Sequence, residues 1–316
     1  MQTVVGVLRG GANREHELSL GTGAALAANL PEGRYIIRDI YIDRQGEWHY
    51  RGRPTTPDRV LQQLDVALIG LHGDNGESQK LLERFGIPYA GADSFGAYLA
   101  GHKALSKIRA QAAGVHTPAF VLIEHPENAE RAALEITRTF SQPVVVKPVG
   151  WGSSAGVSVA GGYARLLAAI EGLFSAGAPN VLVEEYVRGR EASVIVVENM
   201  RDEPLYTAFP IEVKPEGDYF SHEAKMRGGA RVTCPGRFTR VDTEELRRLA
   251  RLMHRTLGLR HYSKSDFIVT PRGIYYLETD ALPALARRSL FPRALEAVGV
   301  PIRDFGEHLV NLARSR

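Results

Sequence analysis

The sequence predicts an α/β fold that begins with a mainly parallel sheet. Apolar strands such as Thr3 to Leu8 and Asp65 to His72 alternate with helical segments, the pattern of strand–helix–strand units. Both strands run into glycine turns, at Gly10-Gly11 and at His72 to Gly76. With 316 residues, the chain is also long enough for two or three lobes with cores. Ligands of such sheets bind at the carboxyl ends of strands, so both turns are candidate ligand loops.

The elements follow in order. In the first third we expect a helix over about Leu20 to Leu30 and a strand over Tyr35 to Asp43 that turns at Gly46 into a hairpin. The middle opens with one long predicted helix, Ser94 to Ala113, which Gly114 ends. The next predicted elements are the strands Ala119 to Ile123 and Pro143 to Pro148, the helix Ala164 to Ser175 and the strand Asn180 to Val187.

The last third begins with a polar, glycine-containing segment, Gly217 to Arg231, which predicts a mobile loop. Asp242 and Glu245 have the spacing of a capping box and predict the start of an amphipathic helix. A hairpin and a C-terminal helix complete the predicted order.

Composition and charge exclude several classes of protein. The formal net charge is only +3 and like charges form no long run, so neither a nucleic-acid-binding tail nor a membrane-binding arm is expected. The single cysteine, Cys234, excludes an intrachain disulfide and a thiolate metal cluster. No segment resembles a transmembrane helix or a signal peptide. We therefore expect a cytoplasmic protein.

A glycine-rich segment, Gly150 to Ser158, follows the strand that carries Lys147. Its backbone N–H groups can approach phosphate oxygens closely, and Lys147 can add a positive charge. The segment matches neither a P-loop nor a dinucleotide fingerprint. Taken alone, it fits a phosphate loop and a plain strand-to-strand turn equally well.

Three carboxylates occur on one predicted hairpin. With Arg272 at the centre of the turn, Asp266 lies opposite Glu278, and Lys264 and Asp280 share their face. Carboxylates this close repel each other unless a cation lies between them, and their hard oxygens suit Mg²⁺ better than zinc. The alternative is a solvated face with one salt bridge to Lys264.

Five motifs occur in the order found in one enzyme family. They are GGANREHELSLGTG (Gly10 to Gly23), LHGDNGE (Leu71 to Glu77), GIPYAGA (Gly86 to Ala92), GSSAG (Gly152 to Gly156) and HEAKM (His222 to Met226). In this order they resemble the D-alanine–D-alanine ligases, nearly end to end. The resemblance implies an N-terminal Rossmann-like (pre-ATP-grasp) parallel sheet followed by the two-lobed ATP-grasp fold.

The resemblance also divides the chain. Residues 1–93 would form the N-terminal substrate domain and residues 94–187 the central lobe with the glycine-rich loop. Residues 188–316 would form the C-terminal lobe with the metal hairpin and the mobile loop. The members of this family are usually homodimers, so a homodimer is expected here.

The resemblance assigns substrate and catalytic roles to single residues. Glu15 would bind the ammonium of the first D-alanine and contact Ser153. Lys264 and the backbone N–H of Ala284 would stabilise the oxyanion. Three further residues would help to hold the substrates, namely His72, Ser289 and Leu290.

Nucleotide and metal roles are implied in the same way. ATP would be bound by Lys103, Lys147, Gly152, Ser153, Ser154, Glu184, Glu185, Tyr186, Val187, Glu191 and Lys225. Asp266, Glu278 and Asp280 would bind two Mg²⁺ ions, or Mn²⁺ in their place.

The chain departs from the usual family residue at five positions. Lys264 stands where arginine is usual, and it keeps the charge but loses the planar fork. Asp280 replaces an asparagine, Ala284 a glycine, Met226 a tyrosine and Ser78 a frequent acid.

The implied reaction is ATP-dependent ligation of two D-alanines through an acyl-phosphate, for peptidoglycan precursor synthesis. Two alternatives stay open at this point. One is a related ligase with another amino- or hydroxy-acid pair, which the residues around Met226 and Ser289 would decide. The other is a catalytically weak ATP-binding protein, which the departures favour and the intact lysines and carboxylates oppose.

Overall fold

A computed structural model describes residues 2–215 and 230–315, and its strands form three sheets. Lys225 and Met226 lie outside the described residues. None of the described helices is long and apolar enough to cross a membrane.

The first sheet has six strands in the order β4-β3-β2-β1-β5-β6. Its strands are β1 (Thr3–Gly10), β2 (Tyr35–Ile42), β3 (Trp48–Tyr50), β4 (Arg53–Thr55), β5 (Val66–Ile69) and β6 (Tyr89–Ala90). β1 runs parallel to β2 and β5, and β5 runs parallel to β6, whereas β3 and β4 add an antiparallel edge. The connecting helices are α1 (His16–Asn29), α2 (Pro57–Leu61) and α3 (Glu77–Arg84). The predicted parallel arrangement is therefore confirmed for the central strands.

The single long helix predicted after this sheet is wrong. The structure has two helices, α4 (Ser94–Gly101) and α5 (Lys103–Ala112), separated at His102. The backbone of His102 is extended, and its Nδ1 accepts a hydrogen bond from the N–H of Leu105 at 3.2 Å. A capping side chain at the junction therefore starts a second helix and brings Lys103 to its first position.

The second sheet is antiparallel and has the order β7-β10-β8-β9. Its strands are β7 (Phe120–Ile123), β8 (Val144–Pro148), β9 (Ser158–Ala160) and β10 (Val181–Glu185). A short 3-10 turn, Pro126–Asn128, precedes α6 (Ala129–Thr139), and α7 (Tyr163–Ser175) follows β9. The apolar faces of α6 and α7 pack on this sheet through residues such as Ile136, Leu166 and Ile170.

The third sheet has the path β14-β13-β11-β15-β16, with β12 paired to β11. Its strands are β11 (Arg190–Met200), β12 (Glu203–Thr207), β13 (Ile211–Pro215), β14 (Ala230–Thr233), β15 (Tyr262–Thr270) and β16 (Gly273–Asp280). The remaining helices of the described residues are α8 (Arg240–Thr256), α9 (Leu290–Ala297) and α10 (Ile302–Arg314). α10 returns to the first sheet, so that Leu309 and Val310 share one core with Val5 and Leu68.

Two helix starts differ from the sequence prediction. α1 begins at His16, before the predicted Leu20, so Glu15 occupies its N-cap position without a capping hydrogen bond from its side chain. α8 begins at Arg240, because Thr239 caps it by accepting from the N–H of Asp242 at 3.0 Å. The capping pair is therefore Thr239 and Asp242, one turn earlier than the predicted Asp242 and Glu245.

The hairpin of β15 and β16 contains a β-bulge at Leu277. Asp266 pairs with Glu278, as predicted, but Phe267 pairs with Tyr276. Leu277 is thus the extra residue of the return strand. Tyr276 points into the core while Glu278, two residues on, faces the opposite side with Asp266. The predicted pairing of Asp266 with Glu278 is confirmed. The turn, however, is centred between Pro271 and Arg272, so a regular strand would place Leu277 opposite Asp266. The bulge at Leu277 brings Glu278 into that position instead.

Candidate active site

A cavity of about 500 Å³ lies where the parts of the fold meet. The N-terminal region contributes Glu15 and the turn at His72, and the glycine-rich loop contributes Gly152 and Ser153. The remaining wall comes from α4 and α5, from the hairpin and from the segment that leads into α9. The cavity therefore gathers the turn at His72, the glycine-rich loop and the carboxylate hairpin that the sequence singled out, whereas Gly10 and Gly11 do not line it.

Glu15 reaches across the cavity to the glycine-rich loop. Its Oε1 accepts a hydrogen bond from the hydroxyl of Ser153 at 2.7 Å. A Cβ atom at Gly73 would lie 2.5 Å from Oε2 of Glu15, and one at Gly152 would lie 2.7 Å from Oε1. Only glycine leaves room for the carboxylate at these two positions. Burial raises the pKa of Glu15, against the lowering effect of the Ser153 hydrogen bond.

His72 holds the N-terminal loop in place. Its Nε2 is 2.8 Å from Oγ1 of Thr22, its N–H donates to Ser19 at 2.9 Å, and its carbonyl accepts from Asn13 at 2.6 Å. Thr22 also accepts from the N–H of Leu285 at 3.2 Å. Burial lowers the pKa of His72 to about 4, so the ring is neutral near pH 7. Its contacts are those of a residue that orders the loop.

The glycine-rich loop forms a tight turn at the end of β8. Ser153 and Ser154 have φ angles of 53° and 57°, in the left-handed region that non-glycine residues seldom adopt. The N–H of Ala155 donates to the carbonyl of Gly152 at 3.0 Å. A compact turn with residues in this conformation can present backbone N–H groups to phosphate oxygens.

Lys103 connects the glycine-rich loop to the hairpin. Its ammonium donates to the carbonyl of Trp151 at 2.6 Å and lies 3.4 Å from Oε2 of Glu278. Its position at the start of α5 places this charge in the cavity wall.

Glu184 lies in a buried ion cluster with two lysines. Lys147 is 2.7 Å from one carboxylate oxygen, and Lys107 is 3.0 Å from the other. All three side chains are buried, and that of Lys107 is fully inaccessible. Burial lowers the pKa of Lys107 to about 8, although Glu184 opposes that shift. Burial would raise the pKa of Glu184, but the two lysines outweigh it and lower that pKa.

Lys107 was missed by the sequence reasoning. The available signal was its spacing on α5, because Ala104, Lys107 and Ala110 fall on one face and all three are buried. Lys107 also donates to the hydroxyl of Thr117 at 2.8 Å.

Several predicted nucleotide residues do not line this cavity. Glu185, Tyr186 and Val187 are half-buried where β10 ends, and Glu191 lies in β11 opposite Ile268. Among the described residues, the cavity lining includes none of these and omits Lys147, Ser154 and Glu184. The structure thus separates the predicted set into residues that line the cavity and residues that do not.

The hairpin face contains a lysine between two aspartates. The ammonium of Lys264 is 2.6 Å from Oδ2 of Asp266 and 2.9 Å from Oδ2 of Asp280. Asp266 also accepts from the hydroxyl of Ser193 at 2.5 Å. Burial alone would lower the pKa of Lys264, but the two aspartates outweigh it and raise that pKa. Lys264 is therefore a permanent cation in the cavity wall.

The three hairpin carboxylates suit a hard divalent cation by chemistry. Within residues 2–215 and 230–315, only Asp43, Glu47 and His49 have three ligand atoms all within 4.8 Å of one another. That group lies at the turn between β2 and β3, where His49 and two backbone N–H groups already form hydrogen bonds with Asp43. The hairpin carboxylates are more widely spread, and Lys103 and Lys264 neutralise them only in part. Their oxygens remain on one face of the cavity wall, as binding of Mg²⁺ with phosphates requires.

The segment before α9 completes the cavity. Ala284 does not have a positive φ angle, so an L-residue fits where the family usually has glycine. Ser289 is the N-cap residue of α9, and Leu290 is the first helical residue. The sequence reasoning missed Arg288 and Arg293, which also line this end of the cavity.

The comparisons with known proteins agree with this geometry. The family model described as "D-ala D-ala ligase C-terminus" matches residues 110–311. The chain belongs to the D-alanine–D-alanine ligase family. It is 34% identical to the D-alanine--D-alanine ligase of Geotalea uraniireducens, over 98% of this chain and 95% of that protein. It is 30% identical to the one from Chlorobaculum tepidum, over 98% and 96%.

Solved structures show the same fold. The VanG D-Ala:D-Ser ligase from Enterococcus faecalis superposes with a TM-score of 0.86 at 24% identity, over 99% of this chain and 100% of that one. The D-alanine-D-alanine ligase from Coxiella burnetii gives a TM-score of 0.83 at 22% identity, over 100% and 94%. The expected ATP-grasp fold is therefore confirmed.

Proposed function

We propose that this protein joins two D-alanine molecules into D-alanyl-D-alanine, using ATP, for peptidoglycan precursor synthesis in the cytoplasm. The observation that carries the proposal is the cavity, where Glu15, Lys103 and Lys264 meet in a member of the D-alanine–D-alanine ligase family. The reaction needs a group for an ammonium, a group for phosphates and a cation for an oxyanion. These three residues supply one group each.

The first D-alanine binds with its ammonium at Glu15. The carboxylate of Glu15 is held by Ser153 and surrounded by two glycines, and burial makes its charged form costly. A substrate ammonium would offset that cost, because an opposite charge favours the carboxylate form. Ser289 and Leu290, at the N-terminal end of α9, bind the carboxylate of the second D-alanine, and His72 orders the loop beside Glu15.

ATP binds between the second and third sheets. Lys103, Lys147 and the backbone of Gly152 to Ser154 face its phosphates, while Glu184 to Val187 and Glu191 hold the adenosine. Glu184 acts partly through Lys147, since the two are 2.7 Å apart. Lys225, the remaining predicted phosphate ligand, is outside the described residues.

Asp266, Glu278 and Asp280 are the proposed ligands of two Mg²⁺ ions, which Mn²⁺ can replace. Bound there, the ions would neutralise phosphate charge and polarise the transferred phosphoryl group. Ser193 already fixes the orientation of Asp266.

The reaction has two steps. A carboxylate oxygen of the first D-alanine attacks the γ-phosphorus of ATP, and ADP leaves with the electrons of the broken P–O bond. The neutral amine of the second D-alanine then attacks the acyl carbon, the acyl C–O bond to phosphate breaks, and the departing phosphate takes the amine proton as the amide forms. Lys264 and the N–H of Ala284 stabilise the tetrahedral oxyanion. The acyl-phosphate must be kept from water, which would otherwise hydrolyse it.

The test is phosphate release from Mg-ATP with D-alanine, followed by a panel of D-amino acids, L-amino acids and hydroxy acids. We expect release with D-alanine and D-alanyl-D-alanine in the product, and loss of both in Glu15→Gln. Release only with another acceptor would reassign the second substrate. Binding of ATP without release on any substrate would overturn the proposal. The proposed homodimer is tested by measuring the mass in solution.

A further inference from the structure

A cation–π contact joins the N-terminal loop to the glycine-rich loop. The guanidinium carbon of Arg14 lies 4.1 Å from the centroid of the Trp151 ring. One terminal nitrogen of Arg14 also donates to the carbonyl of Ala176 at 2.6 Å, which fixes the guanidinium at the end of α7. Arg14 is exposed and Trp151 is half-buried, so the aromatic ring and the carbonyl of Ala176 together hold an exposed side chain.

Both partners are next to residues of the active site. Arg14 precedes Glu15, and Trp151 precedes Gly152 and Ser153. The Arg14–Trp151 contact therefore runs beside the 2.7 Å hydrogen bond between Ser153 and Glu15. The two contacts tie the same pair of loops at adjacent points.

Trp151 also connects to the phosphate side of the cavity. Its carbonyl accepts from the ammonium of Lys103 at 2.6 Å, and Lys103 in turn lies 3.4 Å from Glu278. A Cβ atom at Gly156 would lie 3.2 Å from the Trp151 ring, so the ring also packs against the end of the loop. Movement of Trp151 would thus shift the acceptor of Lys103 and the turn that contains Ser153.

We propose that Arg14 and Trp151 are a positioning pair that couples the phosphate loop to the first amino-acid site. The stacked ring holds the glycine-rich loop against the N-terminal loop, so that Ser153 meets Glu15 while Lys103 is oriented toward phosphate. Binding at either site then favours the loop position that the other needs, and this coupling is reciprocal. The inference deepens the proposed function and rests on it.

The variants are Arg14→Ala, Trp151→Ala and the double variant, with Trp151→Phe as the conservative change. Loss of a partly exposed cation–π contact corresponds to roughly fivefold to tenfold in an equilibrium constant. We expect the KM values for ATP and for D-alanine at the first site to rise together by that factor. The value of kcat should change by less than about threefold, because the pair positions the loops and does not contact the reacting atoms. The double variant should resemble Trp151→Ala, and Trp151→Phe should restore most of the loss.

The control is Tyr50→Ala. It removes a ring whose centroid lies 5.4 Å from the guanidinium carbon of Arg38 and 5.3 Å from that of Arg51. Tyr50 does not line the cavity. Thermal unfolding of every variant separates loss of folding from loss of positioning. A merely structural role for Trp151 would lower kcat and Tm and leave both KM values unchanged.

Binding supplies a readout that does not need turnover. The chain has two tryptophans, so a Trp48→Phe background leaves Trp151 as the single tryptophan reporter. In that background, D-alanine should bind more tightly when a non-hydrolysable ATP analogue is present, and Arg14→Ala should reduce this enhancement roughly fivefold. Equal enhancement with and without Arg14 would overturn the inference. An inactive wild-type protein would instead overturn the proposed function.

Discussion

Two ion clusters near the active site differ in burial and in the sign of their excess charge. The buried triad, Lys107, Lys147 and Glu184, has one carboxylate for two lysines, and its side chains are 0–8% exposed. The hairpin cluster, Lys264, Asp266 and Asp280, has one lysine for two carboxylates, and its side chains are 10–44% exposed.

The difference shows how one fold can provide separate sites for an anionic and a cationic ligand. The excess positive charge of the buried triad is shielded from water. Its electrostatic attraction for an anion such as phosphate is therefore screened less than it would be at the surface. The excess negative charge of the hairpin cluster faces the cavity, where cations from solution can reach it. Burial should therefore make the first cluster important for stability and the second important for catalysis.

The largest expected effect is on stability, from Glu184→Gln. The change leaves Lys107 and Lys147 buried without a counter-charge, which should reduce the free energy of unfolding by about 3–5 kcal/mol. Urea denaturation at pH 7 measures it. The matched control is Glu245→Gln, which breaks an exposed pair with Arg248 on α8 and should cost under about 1 kcal/mol. Equal losses in the two variants would mean that burial does not distinguish the clusters.

The hairpin cluster should respond in the opposite way to Lys264→Met. Loss of one oxyanion donor should lower kcat by about 10²–10³-fold, with only a small change in Tm. Lys264→Arg keeps the charge, and arginine is usual at this position in the family, so it should retain most activity. Steady-state kinetics and thermal unfolding on the same samples measure both effects. A large fall in Tm with little change in kcat would contradict the comparison.

A third effect depends on pH and involves a buried neutral group. Burial lowers the pKa of His72 from 6.5 to about 4. The unfolded chain takes up the proton first as the pH falls, so stability is full above about pH 6.5 and is lost progressively toward pH 4. The largest possible loss is about 3 kcal/mol. Urea denaturation from pH 7.5 to pH 4.5 should show a shallower slope in His72→Gln than in the exposed control His125→Gln. Identical slopes would assign the pH dependence to other groups.

The smallest expected effect is that of Asp280→Asn. Asp280 has a side chain that is 44% exposed, and asparagine is usual there in the family, so stability should change by less than about 1 kcal/mol. The Mg²⁺ concentration for half-maximal activity should rise a fewfold, because one negative charge is lost from the proposed metal ligands. Titration of activity with Mg²⁺ after treatment with a chelator measures it. An unchanged titration would show that the negative charge of Asp280 does not contribute to the affinity for Mg²⁺.

The sequence predicted the parts of the site that depend on local order along the chain. A turn assumed at Arg272 placed Asp266 opposite Glu278, a pairing that the bulge at Leu277 produces in the structure. Glycine turns located the two loops at the ends of β1 and β5. The assigned roles of these residues remain predictions, since the structure gives their positions only.

What the sequence could not predict depends on contacts between distant segments. The spacing of Lys107 on α5 indicates burial, but it does not identify Glu184 of β10 as the partner. The stacking of Arg14 on Trp151 joins two loops that no periodicity relates. The break at His102 needed a side-chain cap, which a helical pattern does not distinguish from an ordinary polar residue.

The bulge at Leu277 makes the length of β16 as important as its composition. Deleting Leu277 would keep Glu278 opposite Asp266 and would straighten the strand. Inserting a residue between Leu277 and Glu278 would turn Glu278 and Asp280 to the opposite face and put Thr279 opposite Lys264 in place of Asp280, because side chains alternate with period two. Homologous ligases should therefore tolerate many substitutions along this strand but few single-residue insertions, and a length comparison would reveal that constraint without any measurement of activity.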